Sequence, residues 1–338
     1  MQVLFYIIVF LFLLYILLII YYWRSWVSIV DFRLPILDFE PSTKITVIIA
    51  ARNEEEFIGN CLASICNQSY PKHLFEVLVV DDHSTDNTAA IVNNYAAQNV
   101  KLISLKNFIV DELNSYKKKA IEIAIAQSTG ELIVTTDADC FVTENWLQTI
   151  ASFYQKYQPV FIAAPVSIDF SNKFIEFFQG LDFMTLQGIT GASVHKKIHS
   201  MCNERAAFYE VGGFTGIDNI ASGDDMLLMH KIYKRWPGKV LFLKSKDAIV
   251  HTAPVSSIKE FFNQRIRWAS KADKYEDKRI FTVLLLVYLV NVWLVVLPII
   301  AVFNNIQYTI FNIQCSIFGL WLLLLLLKTF IELIFLYP

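Results

Sequence analysis

Two aspartates one residue apart, Asp137 and Asp139, close the apolar run Leu132-Ile133-Val134-Thr135-Thr136. Such a run suits a buried strand of a parallel sheet, and ligands of open α/β sheets sit at the carboxyl ends of their strands. A carboxylate pair placed there suits a divalent cation, Mg2+ or Mn2+, that carries a diphosphate. Aspartate is also a common turn residue, and that reading stands beside the first. A second acid pair, Asp81-Asp82, follows the run Phe75 to Val80. Adjacent acids are costly at a strand end unless solvated or facing a ligand. A carboxylate there suits the imide N–H of uracil, or equally a cap for the next helix.

Four further groups have chemistry to offer. Asn53 and Glu54 follow the run Ile45 to Ala50 and can hydrogen-bond a base or ribose, or serve as the acid-rich start of a helix. The run Lys117-Lys118-Lys119, with Lys118 as the candidate, offers a point charge to a diphosphate, or a solvated basic face. In Gly223-Asp224-Asp225 the glycine permits a close approach. Asp225 there suits proton abstraction from an acceptor hydroxyl and Asp224 a substrate contact, unless both are dipole-favoured helix acids. In Gln264-Arg265-Ile266-Arg267-Trp268 the guanidinium groups suit phosphate and the indole a sugar ring; the alternative is a basic membrane-surface helix.

The elements that must position these residues alternate in type. Strands are expected at Ile45 to Ala50, Phe75 to Val80, Val100 to Leu105 and Glu131 to Asp137. Helices are expected at Glu54 to Asn67, Thr85 to Asn99 with Ser84, Thr85 and Asp86 as capping candidates, and Lys117 to Gln127 with Gly130 as its stop. This order implies a doubly wound, mostly parallel sheet. Ser257 to Lys271 carries apolar residues at helical spacing and reads as an amphipathic helix at a membrane surface.

Composition adds the setting. Of 338 residues, 55% are hydrophobic and only 18% charged, too apolar for an ordinary soluble protein. The excess sits at the two ends. Val3 to Trp23 has the length that spans a bilayer core, without a cleavage site, and reads as an anchor. Ile280 to Phe303, with Pro298 as a possible kink site, and Ile310 to about Leu327 are two more such runs, joined by an uncharged loop with Asn304, Asn305 and Gln307. The sequence then stops within apolar residues, which suggests a truncated record. Arg24 on one side and Lys271, Lys274, Lys278 and Arg279 on the other place the central domain in the cytoplasm, at a plasma (inner) membrane. The expected domains are an anchor at 1–24, a catalytic domain at 40–254, an interfacial helix at 255–278 and spans at 280–338. A net charge of −2 suggests no nucleic acid, and five cysteines without paired spacing suggest reduced thiols.

Taken in order, these motifs resemble membrane-anchored family-2 glycosyltransferases of the GT-A fold, such as hyaluronan, chitin and cellulose synthases and ceramide glucosyltransferase. The resemblance covers roughly Thr43 to Trp268 and the terminal spans, and Val211-Gly212-Gly213-Phe214 matches a further family segment. It implies a GT-A nucleotide-sugar-binding domain flanked by transmembrane helices, with a UDP-sugar donor and a lipid-linked or glycan acceptor. By the same resemblance Asp81 or Asp82 binds the base, Asp137 and Asp139 the metal, and Asp225 is the general base. Gln264, Arg267 and Trp268 would close over diphosphate and acceptor, with Arg265 beside them. Two departures stand out: Asp224-Asp225 replaces the usual Glu-Asp, and the segment Met201 to Tyr209 is shorter than in relatives. Three functions are thereby open: single transfer to a lipid or lipid-linked acceptor, processive polysaccharide synthesis, or an inactive nucleotide-sugar-binding scaffold. All require that Asp82, Asp139 and Asp225 gather round one cleft facing the Trp268 helix.

Overall fold

The computed structural model describes residues 2–34, 39–108, 114–170, 173–195, 204–220, 223–255, 257–269, 278–303, 307–310 and 313–336. The chain forms two compact units: Ile29–Trp268, and a second made of the two ends, Met1–Ser28 with Ala269–Pro338.

In the end unit, α1 (Gln2–Val27) precedes the central unit. Within the central unit the order is β1 (Ile45–Ala51), α2 (Ile58–Cys66), β2 (Phe75–Asp81), α3 (Thr88–Asn93), β3 (Val100–Ser104), α4 (Tyr116–Gln127) and β4 (Leu132–Asp137). Then come β5 (Cys140–Val142), α5 (Trp146–Tyr157), β6 (Phe161–Ala163), β7 (Val166–Ile168), α6 (Phe174–His195), α7 (Arg205–Glu210) and α8 (Asp224–Arg235). The unit closes with β8 (Val240–Phe242), β9 (Val250–Thr252) and α9 (Ile258–Ala269). The main sheet is parallel with order β3-β2-β1-β4. Strand β9 pairs antiparallel with β5 and parallel with β7, and β6 pairs with β8. This is the mostly parallel α/β architecture expected.

Alternation along the strands gives the main sheet two buried faces. Val47, Ile49, Val77 and Val79 meet Leu62 and Ile65 of α2 and Trp146 and Ile150 of α5. Ile48, Leu78 and Val80 meet Ala120, Ile121 and Ala124 of α4 and Leu228 and Ile232 of α8. Each such side chain, wholly removed from water, contributes roughly 1.5–3 kcal/mol. The register brings the chemistry to one edge: Ala51 of β1 pairs with Asp81 of β2, and Ala50 with Asp137 of β4.

Several local expectations are corrected. The first helix begins at Ile58, because 54–57 form a turn with the N–H groups of Phe57 and Ile58 both donating to Glu54 O. The second is only Thr88–Asn93, followed by a 3-10 turn at Ala96–Gln98. Asn93 and Asn94 favour local hydrogen bonding over helix, and Asn99 takes a left-handed φ of 63°. Asp86 does assist that helix start, accepting from Thr88 N at 3.0 Å. Gly130 does not stop α4, whose C-cap is Ser128. A Cβ there would lie 2.5 Å from Thr46 N, so glycine is required by the close approach of β1.

The end unit continues with α10 (Lys278–Phe303), the antiparallel hairpin β10 (Gln307–Ile310) and β11 (Ile313–Ser316), and α11 (Ile317–Leu336). Three helices, at Val3–Val27, Phe281–Phe303 and Ile317–Leu336, are long and apolar enough to cross a membrane. Helix α10 runs through Pro298 without a break. The last helix starts later than the apolar run suggested and passes beyond Lys328, which pairs with Glu332 one turn on at 2.6 Å. Pairing offsets the cost of charge in an apolar helix.

Candidate active site

The carboxyl edge of the main sheet opens into a cleft of about 270 Å3 lined by Ala50, Ala51, Arg52, Glu54, Asp82, Lys117, Asp137, Ala138 and Asp139. The small alanines at the end of β1 leave the floor bare, so a ligand can reach the backbone between the acids of β2 and β4.

On the β2 side, Asp81 and Asp82 are both buried. Asp81 Oδ1 accepts from Ser84 N at 3.2 Å, and Asp82 N donates to Ala51 O at 2.8 Å. The Asp82 carboxylate lies 2.9 Å from His83 Nδ1 and 3.7 Å from Arg52. His83 holds a left-handed φ of 57°, and its ring meets Tyr116 edge-on at 5.7 Å. Asn53, also left-handed at 56°, spends its side chain on the neighbouring loop: Oδ1 accepts from Thr85 N at 2.8 Å, while its own N–H donates to Ser84 Oγ. Glu54 N donates to Thr88 Oγ1. Asn53 is therefore placed as a stitch between the loops after β1 and β2, whereas the Glu54 carboxylate faces the cleft.

On the β4 side, Asp137 Oδ1 lies 2.6 Å from Lys117 Nζ, which also reaches Asp224 at 3.4 Å. Burial alone would lower the Lys117 ammonium, but the charges of Asp137, Asp224 and Asp225 outweigh it and hold the group above its usual range. Asp139 accepts from Cys140 Sγ at 3.5 Å and Thr252 Oγ1 at 3.4 Å. Burial and the Asp137 charge push its carboxyl up. Burial, then Asp139, Asp137 and Asp86, push Glu54 up to about 7. Among the described residues no group of three or more His, Cys, Asp or Glu side chains is arranged to hold a metal ion alone. The donor set is a pair of carboxylates with an excess of negative charge around it. That fits a hard cation completing its shell with phosphate and water oxygens.

Lys118, the candidate from the sequence, is not at the cleft. It is buried, and its ammonium donates to Ile217 O at 2.7 Å and Ile220 O at 2.5 Å. The adjacent Lys117 takes the cleft position instead. Together the two lysines hold the approach to α8 and its first acid. Spacing did not separate the two: Lys118 is in phase, at i, i+3 and i+7, with Ile121 and Ile125 on the buried face of α4, but Lys117 is equally so with Ala120 and Ala124. Gly223, left-handed at 78°, is the N-cap of α8, and Asp224 and Asp225 form its first turn. Asp225 is exposed, with Oδ1 accepting from Met226 N at 2.7 Å.

The Gln264–Trp268 group stands apart. None of its members lines the cleft. Arg265 pairs with Asp182 of α6, with its guanidinium 4.3 Å from the Trp268 ring and 4.7 Å from that of Phe261. Trp268 also meets Phe183 of α6 at 5.8 Å. Gln264 Oε1 is buried without a hydrogen-bond partner among the described residues, and Arg267 is exposed. Val211 to Phe214 proves to be a packed turn: Gly213, left-handed at 51°, lies so close to Phe208 that a Cβ would sit 2.9 Å from its ring. Of the shortened segment, 201–203 lie outside the described residues.

Arg52 and Lys117 line the cleft, and His83 stands beside Asp82; none of the three was the candidate that the sequence motifs offered. A second pocket, of about 250 Å3, lies on the other side of Asp139 and is lined by Phe57, Asn60, Phe141, Asp169 and Pro254 among others. Its ring stack of Phe141 on His251, at 5.0 Å, and the 2.8 Å pairing of His251 with Asp169 were equally invisible. Cys61, Cys66 and Cys140 are buried free thiols.

Comparison with known proteins places this geometry. The family model for Glycosyl transferase family 2 matches residues 46–214, and that for Glycosyl transferase family group 2 matches 132–334. A beta-monoglucosyldiacylglycerol synthase of Synechocystis sp. is 26% identical over 239 residues, covering 68% of this chain and 48% of that protein. The poly(ribitol-phosphate) beta-N-acetylglucosaminyltransferase TarS of Staphylococcus aureus is 32% identical over 114 residues, 34% of this chain and 19% of that one. The chain thus spans half or less of the length of these curated relatives. The mannosyltransferase PcManGT of Pyrobaculum calidifontis, solved with GDP-Man and Mn2+, shares the fold at a TM-score of 0.59, with 21% identity over 93% of this chain and 87% of that one. With family models covering half of its residues and more, and with a strand-end acid cleft on a GT-A-like sheet, this chain belongs to glycosyltransferase family 2.

Proposed function

We propose that the protein is an inverting glycosyltransferase that moves a sugar from a nucleotide-sugar, with UDP as the carrier, to a hydroxyl of a lipid or lipid-linked acceptor at the cytoplasmic face of a plasma membrane. One observation carries the reading: Asp82, Glu54, Asp137 and Asp139, from three strand ends, line a single cleft with Lys117, which in turn reaches Asp224 at the start of α8. The glycolipid acceptor is supported by the likeness to a beta-monoglucosyldiacylglycerol synthase and by three helices of membrane-spanning length.

In this reading Asp81 and Asp82 bind the base. Lys117 exchanges its contacts with Asp137 and Asp224 for the donor diphosphate and so follows negative charge. Asp137 and Asp139 would hold Mg2+ or Mn2+, which when bound neutralises the diphosphate leaving group. Asp225, at the N-terminus of α8, takes the proton of the acceptor hydroxyl. The acceptor oxygen bonds to the anomeric carbon as its bond to the diphosphate oxygen breaks, and that electron pair leaves on the nucleoside diphosphate. A single displacement inverts the anomeric centre. Gln264, Arg267 and Trp268 serve the acceptor side, while Arg265 holds their helix to α6.

The test uses full-length protein in membranes, a panel of nucleotide-sugars, and Mg2+ or Mn2+. Release of nucleoside diphosphate with one donor, together with a glycosylated lipid product, is the expected result. Asp225→Asn should keep donor binding and lose transfer by a factor of roughly 10²–10⁴, the usual contribution of a general base. Full transfer by that variant refutes the base assignment. Absence of diphosphate release across the panel refutes the enzyme in favour of a scaffold, and long polymer products would refute single transfer.

A further inference from the structure

Helix α6 turns one face to α9. Phe178, Gln179, Asp182 and Phe183, at i, i+1, i+4 and i+5, share that face, and each finds a partner in α9 or just before it. Phe178 meets Phe261 edge-on at 5.9 Å, and Phe183 meets Trp268 at 5.8 Å with a tilt of 42°. Gln179, which is buried, donates to Val255 O at 3.2 Å and accepts from Val255 N at 3.1 Å. Asp182 pairs with Arg265.

This last pair does more than tether the helices. Arg265 lies against two rings of its own helix, Phe261 at i−4 and Trp268 at i+3, with its guanidinium 4.7 and 4.3 Å from their centroids. A cation at such distances is attracted to the face of a ring. The side-chain nitrogens of Arg265 are buried and make no well-aligned hydrogen bond among the described residues. The Asp182 charge and the rings therefore fix where the guanidinium lies. Burial pushes the Asp182 carboxyl up and the Arg265 guanidinium down, and the charge of each opposes the shift in the other. With Asp182 neutral, Arg265 would be a partly buried cation without a counter-charge, and it would turn towards water. Trp268 would then lose the group that lies over its ring. The indole is only partly buried, so Arg265 and Phe183, rather than enclosure, set its direction.

We propose that Asp182 is a positioning residue: by holding Arg265 against Trp268 it fixes the angle at which the indole meets an acceptor. The consequence for transfer rests on the reading that places Trp268 on the acceptor side; the consequence for the ring does not. No motif marks Asp182, because its partner lies on another helix.

The full-length protein is labelled with 5-fluorotryptophan and placed in nanodiscs. The fluorine resonance of Trp268, one of seven tryptophans, is identified by its loss in Trp268→Phe. Thermal melts establish that each variant is folded. Asp182→Asn should move or broaden the Trp268 resonance and leave the others in place, while Asp182→Glu, which keeps the charge, should leave it where it was. Gln179→Ala removes the other polar tether without touching Arg265, and should lower the melting temperature with the Trp268 resonance unmoved. A resonance that ignores Asp182→Asn overturns the proposal. One moved equally by Asp182→Glu or Gln179→Ala overturns it too, since loosened packing and not lost charge would be the cause. With dioleoylglycerol as acceptor, Asp182→Asn should raise the acceptor KM about tenfold, within the cost of a misplaced substrate-positioning group, and keep the donor KM within about twofold. An unchanged acceptor KM overturns the role in transfer. Wild-type protein that transfers nothing with any donor strikes the sugar-transfer reading alone, because the fluorine readout needs no turnover.

Discussion

At the β2 end of the cleft, Asp82 meets a guanidinium and an imidazole, and Asp81 meets a backbone N–H. At the β4 end, Asp139 and Glu54 make no ion pair among the described residues; burial and the Asp137 charge raise both carboxyls, and Asp139 raises that of Glu54 further. The chemical type is the same and the treatment opposite. The first end has its charges partnered and its loops stitched together by Asn53, Ser84 and Thr85. The second holds more negative charge than its one lysine offsets, and a cation would relieve it. A fold spends stability in this way where function needs the charge.

Substituting Asp139 and Asp82 separately gives the largest contrast. Asp139→Asn should lower transfer by roughly 10²–10³ and abolish the response to Mn2+ while leaving the melting temperature equal or higher, since an acid whose ionisation is disfavoured has been neutralised. Asp82→Asn should lose about 0.5–1 kcal/mol of stability, as a partly exposed pair does, and raise the KM for donor with the cation response intact. Equal effects at both positions would remove the distinction. Thermal melts and donor kinetics read both.

The two lysines sharpen it next. Lys117→Met should raise the donor KM at least tenfold, leaving Asp137 and Asp224 without their shared cation. Lys118→Met strands two carbonyl oxygens and should cost about 2–3 kcal/mol of stability, with donor KM nearly unchanged in the folded fraction. A kinetic defect confined to Lys118 would reverse the assignment.

The pH dependence follows from Glu54. Its folded carboxyl is raised from 4.5 to about 7, so between those values the native state binds more protons than the unfolded one. Its contribution to stability is therefore present at low pH and lost as pH rises through about 7. A cation favours the ionised form, so Mn2+ affinity should rise with pH in that window, by at most about tenfold per pH unit per proton released. Calorimetry at pH 5.5 and 7.5 measures it, and equal affinities would place Glu54 outside the cation's field. The smallest effect is expected at Asn53→Ala: about 1 kcal/mol of stability, from loss of its loop hydrogen bonds, and little change in donor affinity.

The β-branched runs of 45–50 and 75–80 and the acids after them were legible because a buried strand needs a continuous apolar run and a strand end needs no partner to be recognised. Misreadings arose where two interpretations share one local pattern. Gly130 resembled a helix stop, but its reason is the backbone of Thr46, more than eighty positions earlier. Arg265 resembled a phosphate ligand because its motif says nothing of Asp182 on another helix. Lys117 and Lys118 differ by a 100° rotation that only the packing of α4 resolves.

The sequence alone determined which elements form, that apolar helices flank an α/β unit, and that acids end its strands, since propensity and periodicity act over short stretches of chain. Only the tertiary structure decided which acids share a cleft, which lysine neutralises them and which helix supplies the partner of Arg265. Those outcomes depend on register between strands and on side chains meeting across distances in the chain that local pattern cannot encode.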